Sequence, residues 1–263
     1  MKIAVAALLC IFVSLSFANP ISVAIIGAPG GGATWNTDIQ TKLLATGDFS
    51  TVDVFDAHTT TPTLAQLDLY SSVLVFSDAP YADSTTLGNN LDTYLRSGGG
   101  VVQAMFMLLS NPSYDLSGAF ATNDDYVIEP LSDNSGTELT LGTVHLPGSP
   151  LMTGVTSFDG GTSSFRGTGA LNASATDVAD WSNGAPLVGY RTIGSGVTVG
   201  LNFYPPSSDV RPDFWNSSTD GATLMANALT FSAQTSAVPE PGSILLVSSA
   251  LGVLGLLRRR RRN

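Results

Sequence analysis

Cysteine occurs once in 263 residues, at Cys10, so the chain can build neither an internal disulfide framework nor a cysteine-based zinc site. Charge is scarce too. Asp, Glu, Lys and Arg make up 12% of the chain, and histidine appears only at His58 and His145. Basic residues are rarer still in the body. Setting aside Lys2 and the run Arg258–Arg262, residues 19–237 hold five basic residues against twenty acids, a charge near −15. A body that acidic repels phosphate backbones, which argues against nucleic acid as a partner. Apolar residues, by contrast, make up 43% of the chain. That share can bury a sizeable core and excludes wholesale disorder.

Both ends have the layout of transport signals. The start, MKIAVAALLCIFVSLSFANP, has one positive charge at Lys2, an apolar run from Ile3 to Phe17, and small residues at Ser16 and Ala18. That pattern predicts a secretory signal peptide over residues 1–18, cleaved before Asn19 by signal peptidase after passage through the Sec machinery. Cleavage would remove Cys10, leaving no thiol for nucleophilic chemistry.

The other end reads VPEPGSILLVSSALGVLGLLRRRRRN. Val238-Pro239-Glu240-Pro241 closes a linker at 235–241, with prolines that resist helix. An uncharged apolar stretch follows from Gly242 to Leu257, and then the cluster Arg258, Arg259, Arg260, Arg261 and Arg262. Residues 242–263 thus read as a transmembrane segment with a basic tail, marginally long for a span of ~17–25 residues. Five arginines stay cytoplasmic while the body stays outside. Motif, span and basic tail, in that order, resemble the PEP-CTERM sorting signal of Gram-negative bacteria. The resemblance implies exosortase as a partner, transient membrane anchoring, and delivery to the cell surface or extracellular matrix. It also implies a link to the exopolysaccharide of a biofilm-forming bacterium. A simple C-terminal anchor in the inner membrane is the alternative reading of the same tail.

In the body, residues 19–234, short apolar runs alternate with helical stretches. Strands are predicted at 21–27, 51–56, 72–77 and 101–106, and helices at 36–46 and 62–69 and from Ser84 to the stop at Gly98-Gly99-Gly100. Strands this apolar read as a doubly wound, mainly parallel α/β sheet covered on both faces. After about Leu108 the texture turns β-rich, with strands predicted at 138–145, 176–181, 187–193 and 197–203. A hairpin is expected at Gly194-Ser195-Gly196, and a closing helix at 222–232.

Three segments carry a second resemblance: Leu95-Arg-Ser-Gly-Gly-Gly-Val-Val102, Ser149-Pro-Leu-Met-Thr-Gly-Val155 and Gly200-Leu-Asn-Phe-Tyr-Pro205. With the strand-rich first half, they look like the class I glutamine amidotransferase-like, flavodoxin-like fold, and more closely its ThuA-type and noncatalytic relatives. Active amidotransferases of that fold place a cysteine after the strand matching 101–106. This chain has Ala104-Met105-Phe106-Met107, and no Gly-x-Ser-x-Gly elbow replaces it. No catalytic residue is carried over, and no cofactor or metal is expected.

The remaining candidates are binding groups. Gly30, Gly31 and Gly32 connect a strand to a helix, where backbone amides could hold a small ligand beside Trp35; glycines in such a connection are more often plain turn chemistry. Asp78 ends the central strand, where α/β sheets place their sites, and could be a general base or a turn residue. His58 and His145 lie just past strands without metal-ligand spacing, and one could join Asp56 or Asp78 in acid–base work. Asp124, Asp125 and Asp133 offer oxygen ligands but lack a regular calcium loop. Asn172 and Asn216 begin glycosylation triplets. Trp215, with Phe214, Arg211 and the Asn202–Ser207 segment, forms the densest aromatic patch and could stack on sugar rings or close the core. The expected protein is an exported, noncatalytic envelope or matrix component. A carbohydrate-binding module and a hydrolase are the alternatives.

Overall fold

Four apolar runs separated by helices zip into the parallel half of one sheet. In the computed structural model these are β1 (Ile21–Ala28), β2 (Phe49–Asp56), β3 (Ser72–Ser77) and β4 (Gly100–Ala104). The helices between them are α1 (Ala33–Thr46), the single turn α2 (Leu64–Leu67) and α3 (Ser84–Arg96). The structure describes residues 21–131 and 134–234. The predicted signal peptide, Asp133, the linker with Val238–Pro241 and the segment ending in Arg258–Arg262 lie outside the described residues. Among the described residues no helix is long and apolar enough to cross a membrane.

The second half adds α4 (Gly118–Thr122), β5 (Asn134–Ser135), β6 (Leu141–Val144), a 3₁₀ turn at Pro150–Met152 and β7 (Arg166–Gly167). It finishes with β8 (Thr176–Trp181), β9 (Pro186–Ile193), β10 (Gly196–Leu201) and α5 (Gly221–Gln234). The sheet has eight strands in the order β2-β1-β3-β4-β10-β9-β8-β6, and β5 pairs separately with β7. From β2 to β10 every neighbour is parallel; β9, β8 and β6 extend the sheet antiparallel. The predicted mainly parallel α/β sheet is therefore present, and its β-rich second half is the antiparallel wing of the same sheet. The β9–β10 hairpin turns at Gly194, whose φ of 60° suits glycine.

Strand burial follows position. All of β3, β4 and β10 is buried, whereas edge strand β2 buries only Phe49 and Val52 and leaves its last two residues half-buried. Helix α5 crosses β4, β10 and β3 beside α1, and Ser72 Oγ meets Ser232 Oγ at 2.7 Å. Helix α3 buries Leu87, Leu91 and Leu95 and packs with α2 and α4 against β4 and β10. Each buried leucine contributes about 1.5–3 kcal/mol. Two polar side chains hold the core together. Gln103 Nε2 donates to Asp125 O and Thr198 Oγ1, while its Oε1 accepts from Val127 N. Asn202 accepts from Gly167 N and donates to Gly167 O and Pro186 O.

Several predicted boundaries move. Helix α1 starts three residues early, at Ala33, and so includes Trp35. The run at 62–69 yields only one turn, closed by a Thr63–Gln66 capping box. Strand β4 ends at Ala104 because Met105 N turns to Phe203 O and Phe106 N to Ser77 O. Strand β10 likewise ends at Leu201, and the predicted strand at 138–145 shrinks to four edge residues.

Candidate functional site

The chain leaves β1 for β2 on one side and returns to β3 on the other, so the order of strands reverses between β1 and β3. In open α/β sheets such a reversal parts the loops at the carboxyl ends and opens a crevice. Here those ends carry the Gly30–Gly32 loop and Asp78. Asp78 N and Ala79 N both donate to Ala28 O, which ties the two loops together.

The loop glycines are there because neighbours occupy the space of a side chain. A Cβ on Gly30 would lie 2.6 Å from Asp78 Oδ2, and one on Gly31 would fall inside the Trp35 ring. Trp35 stands edge-on to Tyr204 (5.9 Å) and Phe214 (5.1 Å). Tyr204 in turn packs against Phe76 and Phe106. Its hydroxyl donates a long bond, 3.4 Å, to Asp78 Oδ2.

Asp78 faces a cavity of about 210 Å³ lined by Phe106, Tyr114, Phe165 and Arg211. Burial pushes its carboxyl up to about 6, against the pull of the Tyr204 hydroxyl and the Arg211 charge. The same desolvation, with the Asp78 charge beside it, pushes the Tyr204 phenol upward. Arg211 is held by Asp213 (2.7 Å) and lies over the Phe214 ring at 4.9 Å. The result is a small, aromatic-walled cup with one carboxyl at its floor and one guanidinium at its rim. It can accept hydroxyl hydrogen bonds at Asp78 and apolar ring faces at Phe106 and Phe165.

The fold thus brings together Gly30, Gly31, Trp35 and Asp78, with Gly32 exposed at φ 91° as the N-cap of α1. Trp215 is different. It is 2% exposed, its indole N–H donates to Pro205 O at 2.7 Å, and it packs on Phe158, so it has no free face for a sugar. Of the two readings of that patch, the core reading holds for Trp215, and Phe214 alone of the pair borders the site. His58 is pinned by a bond from its Nδ1 to Pro80 O and lies outside the cavity lining, as does Asp56, which caps His58 N. Asp125 is neither a calcium ligand nor solvated surface: it is buried and paired with Arg96. Asn172 is buried and donates to Asp124 and Glu129, which removes it as a glycosylation acceptor in the folded chain. Phe106, Tyr114 and Phe165 went unnoticed in the sequence as a site, whereas Tyr204 and Arg211 belong to the aromatic patch read from it. The three are ordinary aromatic residues far from Asp78 in the chain; Asp78 at a strand end, the glycine loop with Trp35 and the Arg211–Phe214 patch were what hinted at the place.

Comparison with known proteins bears on the C-terminal tail and on the fold of the body. Residues 237–262 match the PEP-CTERM protein-sorting motif. That motif marks the chain for export and for sorting by exosortase, in transit through the membrane toward the cell surface. No curated protein matches the chain. Among solved structures, a ThuA-like protein from Bacteroides uniformis superposes with a TM-score of 0.56 at 10% identity, covering 87% of this chain and 97% of its own. A ThuA-like protein from Parabacteroides merdae gives 0.54 at 13%, covering 82% and 90%. A cytoplasmic protein from Salmonella typhimurium LT2 gives 0.55 at 13%, covering 81% and 99%. The body therefore has a ThuA-like fold, joined to a C-terminal sorting motif.

Proposed function

We propose that this protein is an exported surface component whose ThuA-like body binds a neutral sugar unit of the secreted exopolysaccharide in the Asp78 cup, without turning it over. The supporting observation is Asp78 itself, a desolvated carboxyl at the strand reversal, walled by Phe106, Phe165 and Tyr114. Sugars offer what such a cup accepts: C–H faces for aromatic rings and hydroxyls for a carboxyl and a guanidinium. The volume, about 210 Å³, lies below the ~300–1,000 Å³ of drug-sized sites, so it suits a single ring rather than an oligomer. The carboxyl beside Gly30 and the acidic body both oppose an anion in the glycine loop, which favours a neutral ligand.

The test is binding of the full chain to a glycan array, followed by calorimetry with the best neutral monosaccharide, for wild type and Asp78→Asn. The proposal expects saturable binding that weakens at least ~10-fold in the variant, the worth of a charge-assisted hydrogen bond. Unchanged affinity in Asp78→Asn would overturn it. A hydrolytic reading has one observation in its favour, the carboxyl raised toward neutrality as general acids and bases are. Release of reducing ends by wild type but not by a folded Asp78→Asn chain would replace binding with hydrolysis.

A further inference from the structure

Away from the Asp78 cup, the antiparallel wing gathers three metal-ligating side chains that the sequence keeps apart. His145 follows the end of edge strand β6, and Asp177 and Asp180 belong to β8. Strand residues three apart normally point to opposite faces. The β8–β9 ladder is irregular here: Asp177 pairs with Gly189 but Ala179 with Val188, so Val178 is an extra residue. A bulge of this kind re-aims side chains, and both carboxylates reach the same imidazole. His145 Nε2 lies 2.8 Å from Asp180 Oδ2 and 3.5 Å from Asp177 Oδ2, and the three donor atoms all sit within 4.8 Å of one another.

We propose that His145, Asp177 and Asp180 form a binding site for a divalent transition-metal cation of the zinc type. Tetrahedral zinc with nitrogen and oxygen ligands sets neighbouring donors about 3.3 Å apart, and the two observed imidazole–carboxylate separations bracket that spacing. The donors stand on framework. Val178 O accepts from both His145 N (2.9 Å) and Leu146 N (3.2 Å), which fixes the end of β6 against the bulge. The imidazole nitrogen selects against calcium and magnesium, which take oxygen ligands. Three protein donors leave a fourth position for water. A cation here would staple β6, which meets β8 at only Leu141–Trp181 and Val144–Ala179, to the rest of the sheet.

The experiment titrates the full chain with Zn²⁺ by calorimetry and with Co²⁺ by visible absorption, for wild type, His145→Ala, His145→Gln, Asp180→Asn and His58→Ala. The proposal expects one cation per chain, a Tm that rises with Zn²⁺ concentration, and affinity lost at least ~10-fold in the His145 and Asp180 variants. Outer-shell groups alone are worth 10–100-fold at metal sites, so a ligand should cost no less. His58→Ala keeps full affinity. Near-UV circular dichroism of metal-free His145→Gln, matching wild type, separates a lost ligand from a lost fold. Absence of saturable binding, equal affinity in folded His145→Gln, or loss in His58→Ala overturns the site.

Discussion

Arg96 in the last turn of α3 meets Asp125, in the loop beyond α4, at 2.7 Å, and Asp125 is 1% exposed. The guanidinium also holds Asp92 one helical turn back, so one arginine gathers two carboxyls. Asp125 Oδ2 has no donor facing it. Asp92 and Asp125 share that guanidinium, so each carboxyl feels the other's charge. This unit locks the α3–α4 layer onto β4, because Gln103 in that strand donates to Asp125 O.

The pH dependence of stability follows from that pair. Desolvation first, then the neighbouring Asp92, pushes the Asp125 carboxyl up to about 7, against the pull of Arg96. Burial likewise pushes Asp78 up to about 6. Acids raised in the folded state bind protons more tightly when folded, so stability falls as pH rises from the unfolded value near 4 toward 7. Asp209, bonded by Lys42 and Ser217, is lowered, and its contribution is lost as pH falls below about 4. Maximum stability is therefore expected near pH 4, with a decline from there toward pH 7. Denaturant unfolding at pH 5 and pH 8 checks this, and Asp125→Asn should flatten the difference.

Arg96→Ala should destabilise the protein by about 1–3 kcal/mol, the cost of an unsatisfied buried acceptor. The loss stays below that of a fixed buried charge because Asp125 can take up a proton instead. Combining it with Asp125→Asn should recover part of the loss in a double-mutant cycle measured by urea unfolding.

Trp215→Ala should cost about 3–5 kcal/mol, by cavity formation and loss of the indole bond to Pro205 O. Trp215→Phe should restore most of that stability. Glycan binding in the Phe variant should equal wild type, since Trp215 turns its faces to Phe158 and, 5.5 Å away, to Lys42 Nζ. A folded Trp215→Phe chain that no longer binds would return this residue to the site.

Gly31→Ala is expected to disturb the cup without touching its lining. The new methyl displaces Trp35, which supports Tyr204 and Phe214, so about 1–3 kcal/mol of overpacking should accompany weaker ligand binding. Gly32→Ala, with nothing near its Cβ, carries only the strain of φ 91° and should leave binding unchanged. Thermal melts and calorimetry of the two variants compare these outcomes.

Intact mass of the protein from its native host should show loss of the segment after Pro241 only where exosortase is present. The same mass in hosts with and without exosortase, retained in the inner membrane, would point to a simple anchor.

What the sequence determined by itself was local and ordered. The sorting tail was legible because its parts, Val238–Pro241, the apolar stretch and Arg258–Arg262, are contiguous. The parallel strands were legible because β3 and β4 are buried on both faces and read as nearly continuous apolar runs, Gln103 in β4 excepted. The helix stop at Gly98-Gly99-Gly100 and the turn at Gly194 were legible because glycine there answers a backbone need.

Tertiary structure decided the rest. It moved Trp215 inward, paired Asp125 with an arginine 29 residues away, and set Asp78 among aromatic residues drawn from three separate segments, after β4, before β7 and after β10. It also turned Asp177 and Asp180 to the same imidazole by a one-residue bulge. These depend on which distant segments meet and, for Asp177 and Asp180, on a register shift in the β8–β9 ladder. Such contacts are set by packing between distant segments, and neither composition nor periodicity records them.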